Sequence, residues 1–460
     1  MEQMDLEGKH TVVFGLGKTG IALVRFLLGR GARVTVADSA PAERIEKGVA
    51  AMGRLPVDLR LGAHSAGIAE DADLVILSPG VPHTLECLEK AREKQVPVIG
   101  EIELAAAVID VPVVAVTGTN GKTTTTRLVG CMLERSGKTV FVGGNLGKPL
   151  IDYANARDSG ETGADVVVAE VSSFQLDTIV DFRPRVGVLL NITPDHLDRY
   201  PGFDSYARSK ARLFMNQGPG DTAVLNAADP VTSRVTAHIK SRRCMFNQDR
   251  PGRCGAMISD SGITLHMPGT GGIEVEKARI SITGRHNLEN AAAAALAALA
   301  AGATLEGVLS ALAGFVPDPH RLERVATIGQ VSFYDDSKAT NVDATVRAIE
   351  ALSPGVVLIA GGKDKLGGYE ALREPVARHV KSLVVMGESA EAIHSALCDL
   401  VETRHARSMP EAVQMAADMA GEGDKVLLSP ACSSFDMYEN YAARGEHFQA
   451  CVRTLETMAR

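Results

Sequence analysis

The stretch from residue 113 to 124, Val-Val-Ala-Val-Thr-Gly-Thr-Asn-Gly-Lys-Thr-Thr, constrains this chain more than any other. A β-branched apolar run ends in small residues carrying one lysine and a cluster of hydroxyls. Leu128, Val129, Met132 and Leu133 follow at helical spacing. The pattern is strand, phosphate loop, helix. Glycine lets a backbone wrap closely enough to aim several N–H groups at an anion, and the helix start adds the positive end of a dipole. A lysine at the position of Lys122 reaches the β and γ phosphates, and a hydroxyl at Thr123 ligates Mg²⁺. The strict consensus has one more glycine where this chain has Val116. The stretch predicts a nucleoside triphosphate site built from Gly118, Thr119, Asn120, Gly121, Lys122, Thr123 and Thr124.

A chain of 460 residues has room for about three domains of about 150 residues each. The net charge of −8 argues against a protein that coats nucleic acid. Seven cysteines, none in a CxxC pair, suggest neither a disulfide framework nor a zinc site and fit a reducing cytoplasm. The N-terminus is acidic without an apolar signal core, and no apolar run reaches membrane-spanning length.

Residues 1–110 read as a first domain, within which 11–38 look like a dinucleotide-binding βαβ unit. Residues 11–14 form a strand, Gly15-Leu16-Gly17-Lys18-Thr19-Gly20 fits G-x-G-x-x-G, and residues 33–38 form a second strand ending in Asp38. Alone, this predicts NAD on a Rossmann fold, with Asp38 on a ribose hydroxyl. A further strand at 74–77 runs into Ser78-Pro79-Gly80, and another covers 96–99. The result is a small doubly wound sheet that binds a diphosphate of a kind the motif does not specify.

Residues 111–316 hold the phosphate loop on their first strand. The strand at 139–142 leads into Gly143-Gly144-Asn145-Leu146-Gly147, and the strand at 165–170 ends in Glu170. A carboxylate at a strand end beside a phosphate loop is where a Mg²⁺ ligand belongs. His196 lies in a polar loop past the strand at 186–190, a position that favours function. Lys210 sits on an amphipathic helix and by pattern alone is a surface charge. Residues 240–280 are β-like with turns, and 291–301 read as a buried helix. Asn287 reads as an N-cap, or Asn287 and Asn290 read a base edge; spacing does not decide.

Residues 317–460 begin at a proline-bracketed hinge. Strands at about 331–335, 356–360, 382–386 and 425–429 alternate with helices at about 342–352, 369–379, 390–398, 410–419 and 437–459, a third α/β sheet. Its polar loops follow strands, where α/β proteins place ligand groups. Lys338 and Lys365 in two of them make a second anionic site.

Taken together, these motifs resemble the Mur ligases of bacterial cell-wall synthesis over nearly the whole chain. The resemblance rests on residues 117–123, on Glu170 before Ser172-Ser173-Phe174-Gln175-Leu176, on 191–198 and on 284–290. His320-Arg321 and Asp336-Ser337-Lys338-Ala339-Thr340-Asn341 extend it. The short N-terminal domain and the run 428–436 resemble the D-glutamate-adding branch. The resemblance implies three α/β domains: a Rossmann-like N-terminal sheet, a central P-loop ATPase-like domain and a Rossmann-like C-terminal domain.

It further implies roles. Gly17, Lys18, Thr19, Asp38, Ser78 and Gly80 would hold the UDP part of UDP-N-acetylmuramoyl-L-alanine, which replaces the NAD reading. Asn145 and His196 would face its muramoyl-alanine end. Asn287, Asn290, Arg321 and Asp336 would complete ATP binding, and Lys122, His196 and Lys210 would be catalytic. Thr123, Glu170, His196 and Lys210 would hold Mg²⁺, with Lys210 carbamylated by CO₂. Lys338, Thr340, Lys365, Ser434 and Tyr441 would bind the carboxylates of D-glutamate, although relatives usually carry phenylalanine at the last position. A cytoplasmic monomer whose third domain closes on the other two is expected, with no nucleic-acid partner. An NAD-dependent oxidoreductase, a plain P-loop ATPase or regulatory nucleotide switch, and another amino-acid-adding relative or a folylpolyglutamate-type ligase are the competing readings.

Overall fold

The computed structural model describes residues 5–40, 42–62, 67–161, 163–197, 199–250, 252, 254–268, 272–282, 284–364 and 368–459. They pack into two units. The first joins Met1–Ile192, Tyr206–Ser281 and Leu288–Phe315; the second joins Thr193–Ser205, Ile282–Asn287 and Val316–Arg460.

The first unit contains two sheets. The N-terminal sheet holds β1 (His10–Phe14), β2 (Arg33–Asp38), β3 (Val57–Leu61), β4 (Leu74–Leu77) and β5 (Val98–Gly100), ordered β3-β2-β1-β4-β5 and all parallel. β1 and β4 are almost wholly apolar because helices cover both faces of a parallel sheet. Chain direction reverses between β1 and β4, so the loops after these strands, Gly15–Thr19 and Ser78–Gly80, open on one crevice. β3 has no apolar run and went unread in the sequence.

The central sheet holds β6 (Val113–Thr117), β7 (Val140–Gly144), β8 (Val166–Glu170), β9 (Val186–Leu189) and β10 (Thr222–Asn226). It continues with β11 (Arg242–Phe246), β12 (Gly255–Ser259), β13 (Gly262–His266) and β14 (Ile273–Glu276). The order is β14-β13-β12-β11-β10-β9-β6-β8-β7. β6 lies between β9 and β8, so the phosphate loop and Glu170 leave adjacent strand ends. The β-like region 240–280 supplies the parallel strand β11 and then the antiparallel edge β12 to β14 of this sheet. Cys244 and Cys254 form a disulfide there, which corrects the expectation of none: β11 and β12 pair side by side and bring the two Cα atoms to 4.8 Å.

The second unit carries β15 (Glu323–Ile328), β16 (Val331–Asp335), β17 (Val356–Gly361), β18 (Val380–Met386), β19 (Glu402–His405) and β20 (Lys425–Leu428). The order is β15-β16-β20-β17-β18-β19, with only β15 antiparallel. β15 and β19 are polar edge strands and were missed for that reason. The last helix starts at Tyr441, not 437. Asn287 is not an N-cap, since its helix, Arg285–Ala300, has already begun.

Within the first unit, Glu101 is buried where the helix Glu101–Val108 meets the helix Ile151–Asp158, and it accepts the Ile151 N–H at 2.8 Å. Burial pushes its carboxyl from 4.5 up to about 7. A carboxyl raised in the folded state contributes stability that is present below pH 4.5 and lost as pH rises through 7, on the order of 3 kcal/mol. Glu101→Gln should therefore flatten the fall in melting temperature between pH 5 and pH 8, measured by thermal denaturation. A variant whose curve parallels the parent would show that Glu101 is ordinarily ionised.

Candidate active site

Three clusters gather at strand ends. The first is a cavity of about 620 Å³ whose lining includes Gly17, Lys18, Thr19, Asp38, Ser78, Gly80 and Asn145. All seven residues assigned to the UDP end or the muramoyl-alanine end, His196 aside, thus share one cavity. The N-terminal sheet supplies one wall, and Gly144, Asn145, Gly147 and Pro149 of the central sheet supply the other. A Cβ at Gly20 would fall on the Gly15 carbonyl oxygen, so only glycine lets the helix Lys18–Gly29 approach the loop. The Asp38 carboxylate, at the end of β2, also braces the loop. It accepts the N–H of Leu16 at 2.7 Å and of Ala40 at 2.8 Å, which fixes the glycine loop from beneath.

The second cluster is the phosphate loop. Gly121 has φ +84°, and a Cβ there would strike the Asn290 side chain, which closes one side of the loop. Two loop N–H groups expected to face phosphate are already used: Thr119 donates to the Asn191 carbonyl and Asn120 to the Asn191 side chain, at 2.9 and 2.8 Å. Asn191 returns a bond from Nδ2 to the Asn120 carbonyl at 3.2 Å. The anion-facing donors are then those of the first turn of Lys122–Arg135, which an α-helix leaves without internal acceptors.

The Glu170 carboxylate accepts the Thr123 hydroxyl and the Asn145 amide, both at 2.8 Å, and is 3% exposed. Both of these hydrogen-bond partners are neutral groups. A hydroxyl and a carboxylate on adjacent strand ends are oxygen donors suited to Mg²⁺.

Lys210 corrects the pattern reading. It is 2% exposed, and its Nζ donates to the Gly118 carbonyl at 2.8 Å and lies 4.6 Å from the centre of the Tyr206 ring. The Lys122 Nζ donates to the same oxygen at 2.9 Å and to Thr119 at 2.7 Å. Two ammonium groups on one oxygen in a buried loop repel each other.

The third cluster belongs to the second unit. His196 (φ +54°) and Thr340 line a cavity of about 400 Å³ with Asn341, Tyr369 and Ala431. Asp336 accepts bonds from the Ser429 hydroxyl and the Leu322 N–H, and burial pushes its carboxyl up to about 7. Arg321 stands between His320 and Leu322, both at positive φ. Lys338 lies 3.3 Å from the Asp318 carboxylate and over the Tyr441 ring. Ser434 is buried, Asn287 is buried at the third position of its helix, and Lys365 lies outside the described residues. His286, next to Asn287, is held neutral at about 4 by burial, with Arg347 and Arg321 adding to the effect.

Sequence reasoning gave no role to Arg444. Its guanidinium is buried and donates to Ser337, to the Cys432 carbonyl and to the Ser433 carbonyl, stitching the loop after β16 to the loop after β20. One arginine in a polar helix turn carries no signal of this. Asn191 was visible as a motif residue but not as the brace of the phosphate loop.

Comparison with known proteins follows the same division. The description "Mur ligase MurD-like, N-terminal domain" matches residues 9–100, "Mur ligase middle domain" 116–298, and "Mur ligase, glutamate ligase domain" 320–432. The chain is 49% identical to the UDP-N-acetylmuramoylalanine–D-glutamate ligase of Desulfosudis oleivorans, covering 99% of this chain and 98% of that one. The chain belongs to the Mur ligase family. A second Mur ligase with the same printed name, from Desulfatibacillum aliphaticivorans, is 47% identical over 98% of this chain and 100% of its own. Solved structures share the Mur ligase fold at lower identity. A pseudomurein peptide ligase type C from Methanothermus fervidus superposes with a TM-score of 0.63 at 19% identity, covering 97% of this chain and 100% of that chain. The UDP-N-acetylmuramate–alanine ligase of Thermotoga maritima gives 0.59 at 21%, covering 97% and 99%.

The brace beneath the glycine loop is testable. Asp38→Ala should weaken binding of UDP by about tenfold in calorimetric titration, as removing a support one layer behind a ligand does, while ATP binding stays unchanged. Equal loss of both ligands would refute the local role of Asp38.

Proposed function

We propose that this chain is an ATP-dependent ligase that joins D-glutamate to UDP-N-acetylmuramoyl-L-alanine, a cytoplasmic step of peptidoglycan precursor synthesis. The observation that carries this reading is the continuity of the cavity with the phosphate-loop centre. Asn145 lines the first, and its amide bonds the Glu170 carboxylate of the second. A molecule anchored by its diphosphate in the cavity therefore extends toward the nucleotide. The functional division follows residues 1–110 for the UDP substrate, 111–316 for ATP and 317–460 for the amino acid.

A carboxylate does not acylate an amine at neutral pH because oxide is a poor leaving group. In the reaction the L-alanyl carboxylate attacks the γ-phosphorus of ATP, ADP leaves, and an acyl phosphate forms. The amine of D-glutamate attacks the acyl carbon, loses a proton, and inorganic phosphate departs from the tetrahedral intermediate. The first step brings two anions together, so charge stabilisation and positioning carry the rate. Lys122 and the N–H groups of the first helical turn bind the transferred phosphoryl oxygens. Asn191 holds the loop in shape throughout, so no reorganisation is needed when charge shifts. Asn287, Asn290, Arg321 and Asp336 are assigned to the remainder of ATP.

Thr123 and Glu170 would hold Mg²⁺, and the family resemblance assigns His196 and Lys210 to the same ion. The ion, when bound, supplies positive charge that screens the phosphates from the incoming carboxylate. Carbamylation of Lys210 adds CO₂ to Nζ with loss of two protons and turns a cation into a carbamate anion. That change relieves the repulsion from Lys122 and adds an oxygen donor. Lys338, Thr340, Lys365, Ser434 and Tyr441 are assigned to D-glutamate.

Purified protein with ATP, Mg²⁺ and UDP-N-acetylmuramoyl-L-alanine should release phosphate with D-glutamate and not with L-alanine, lysine or diaminopimelate. Release with a different amino acid would keep the chemistry and overturn the assignment of the C-terminal loops. Lys122→Ala should lower turnover on the order of a thousandfold while UDP-substrate binding persists; normal turnover would refute the phosphate-loop assignment. Lys210→Ala should be inactive with bicarbonate and regain activity with a short carboxylic acid. Full activity without either would sink the carbamate.

A further inference from the structure

Gly100-Glu101-Ile102-Glu103 ends β5 and begins the helix Glu101–Val108. Its two carboxyl groups are buried and meet the backbone of residues 151 and 180–182. Glu103, 1% exposed, accepts the N–H groups of Val180 and Phe182 on Oε2 at 2.8 and 3.0 Å, and of Asp181 on Oε1 at 2.8 Å. Glu101, 2% exposed, accepts the Ile151 N–H. Gly100 lies so close to Thr178 that a Cβ there would fall on the threonine hydroxyl.

The anchor points stand at meaningful places in the chain. Ile151 directly follows Gly144–Pro149, the central-sheet wall of the cavity. Val180–Phe182 follows Glu170 by way of the helix Ser173–Leu176, whose capping box between Ser172 and Gln175 stiffens the link. One anchor therefore leads to the cavity wall and the other to the metal acid. Apolar contact between two domains tolerates sliding. A buried carboxylate with backbone N–H groups on both oxygens does not, because charge-assisted bonds are directional and a lost one leaves a desolvated group.

We infer that Glu103, with Glu101 beside it, is a positioning residue for the acceptor substrate: it fixes the gap between the two walls of the cavity and hence where the carboxylate of the UDP-linked molecule arrives. The inference rests on reading that cavity as the UDP-substrate site. Neither residue touches the reacting atoms.

The chemistry of the two glutamates sets different expectations for one substitution. An amide nitrogen cannot accept a hydrogen bond, so Glu103→Gln leaves at least one N–H facing a donor. Glu101 serves one N–H, and Glu101→Gln keeps that acceptor. The test measures, in the full chain, the Kd of UDP-N-acetylmuramoyl-L-alanine by calorimetry and the KM values of that substrate and of ATP by phosphate release. Glu103→Gln should raise the UDP-substrate Kd and KM by about tenfold or more, with the ATP KM within about twofold, and Glu101→Gln should stay within about twofold on all three. A folded Glu103→Gln with parental Kd overturns the inference, as does equal loss toward both substrates, which marks a merely structural role.

Should Glu103→Gln not fold, Gly100→Ala carries the test. Its methyl wedges the same contact and should raise the UDP-substrate Kd, and Gly100→Ala with Thr178→Ala should bring it back. No effect of Gly100→Ala overturns the inference. Parent protein that binds the UDP substrate without turnover would refute the ligase reading and leave the positioning roles to be judged by Kd. Parent protein that binds no UDP ligand would overturn both.

Discussion

One carboxylate joins three strand ends in the central domain. Glu170 closes β8, accepts the Thr123 hydroxyl from the phosphate loop after β6 and the Asn145 amide from the loop after β7. The Glu170 carbonyl also accepts the Asn145 N–H, and Gly144 must lack a side chain because a Cβ would fall on that same carbonyl. Phosphate loop, strand-end acid and cavity wall are therefore one construction. A hydroxyl and a carboxylate brought to one point by adjacent strands form a pair of oxygen donors of the kind a hard divalent cation takes.

The phosphate loop is made rigid by a neighbour. Asn191 uses its carbonyl, its side-chain oxygen and its amide on Thr119 and Asn120. Asn226 holds the next carbonyl back, donating to Leu190 at 3.0 Å, and Asn247 at the disulfide-closed turn donates to Asn226. Preorganisation of this kind makes an electrostatic site effective, since donors already in place need not turn when charge develops. In the C-terminal domain Arg444 does comparable work among carbonyls, and burial holds its guanidinium down at about 10.

Much of this was legible in the sequence. The buried parallel strands β1, β4, β6, β8, β9 and β17 are continuous apolar runs, and the loops after several of them carry polar residues at the ends where α/β sheets bind ligands. The edge strands β3, β15 and β19 were not legible, because a half-exposed strand of mixed polarity resembles a loop. Lys210 looked like a surface charge because its helix is amphipathic, and only the fold shows that it points at Gly118. Asp38 was read from spacing as a ligand residue, and its bonds to the N–H groups of Leu16 and Ala40 were not legible there. The misses share a cause: a side chain's partner lies far along the chain, and no local period encodes it. Glu103 and its acceptor role toward residues 180–182 is the extreme case.

The central claim is that the phosphate-loop centre activates a carboxylate of the UDP-linked substrate by phosphorylating it. It is tested most directly by following that carboxylate's oxygens. UDP-N-acetylmuramoyl-L-alanine labelled with ¹⁸O in the alanyl carboxylate is converted with ATP and D-glutamate, and the released phosphate is examined by mass spectrometry. An acyl phosphate passes one carboxylate oxygen to phosphate, so the account predicts one ¹⁸O in each phosphate released. Unlabelled phosphate would mean that ATP is hydrolysed by water while the amide forms by another route, and the roles given to Lys122, Thr123 and Glu170 would fall together.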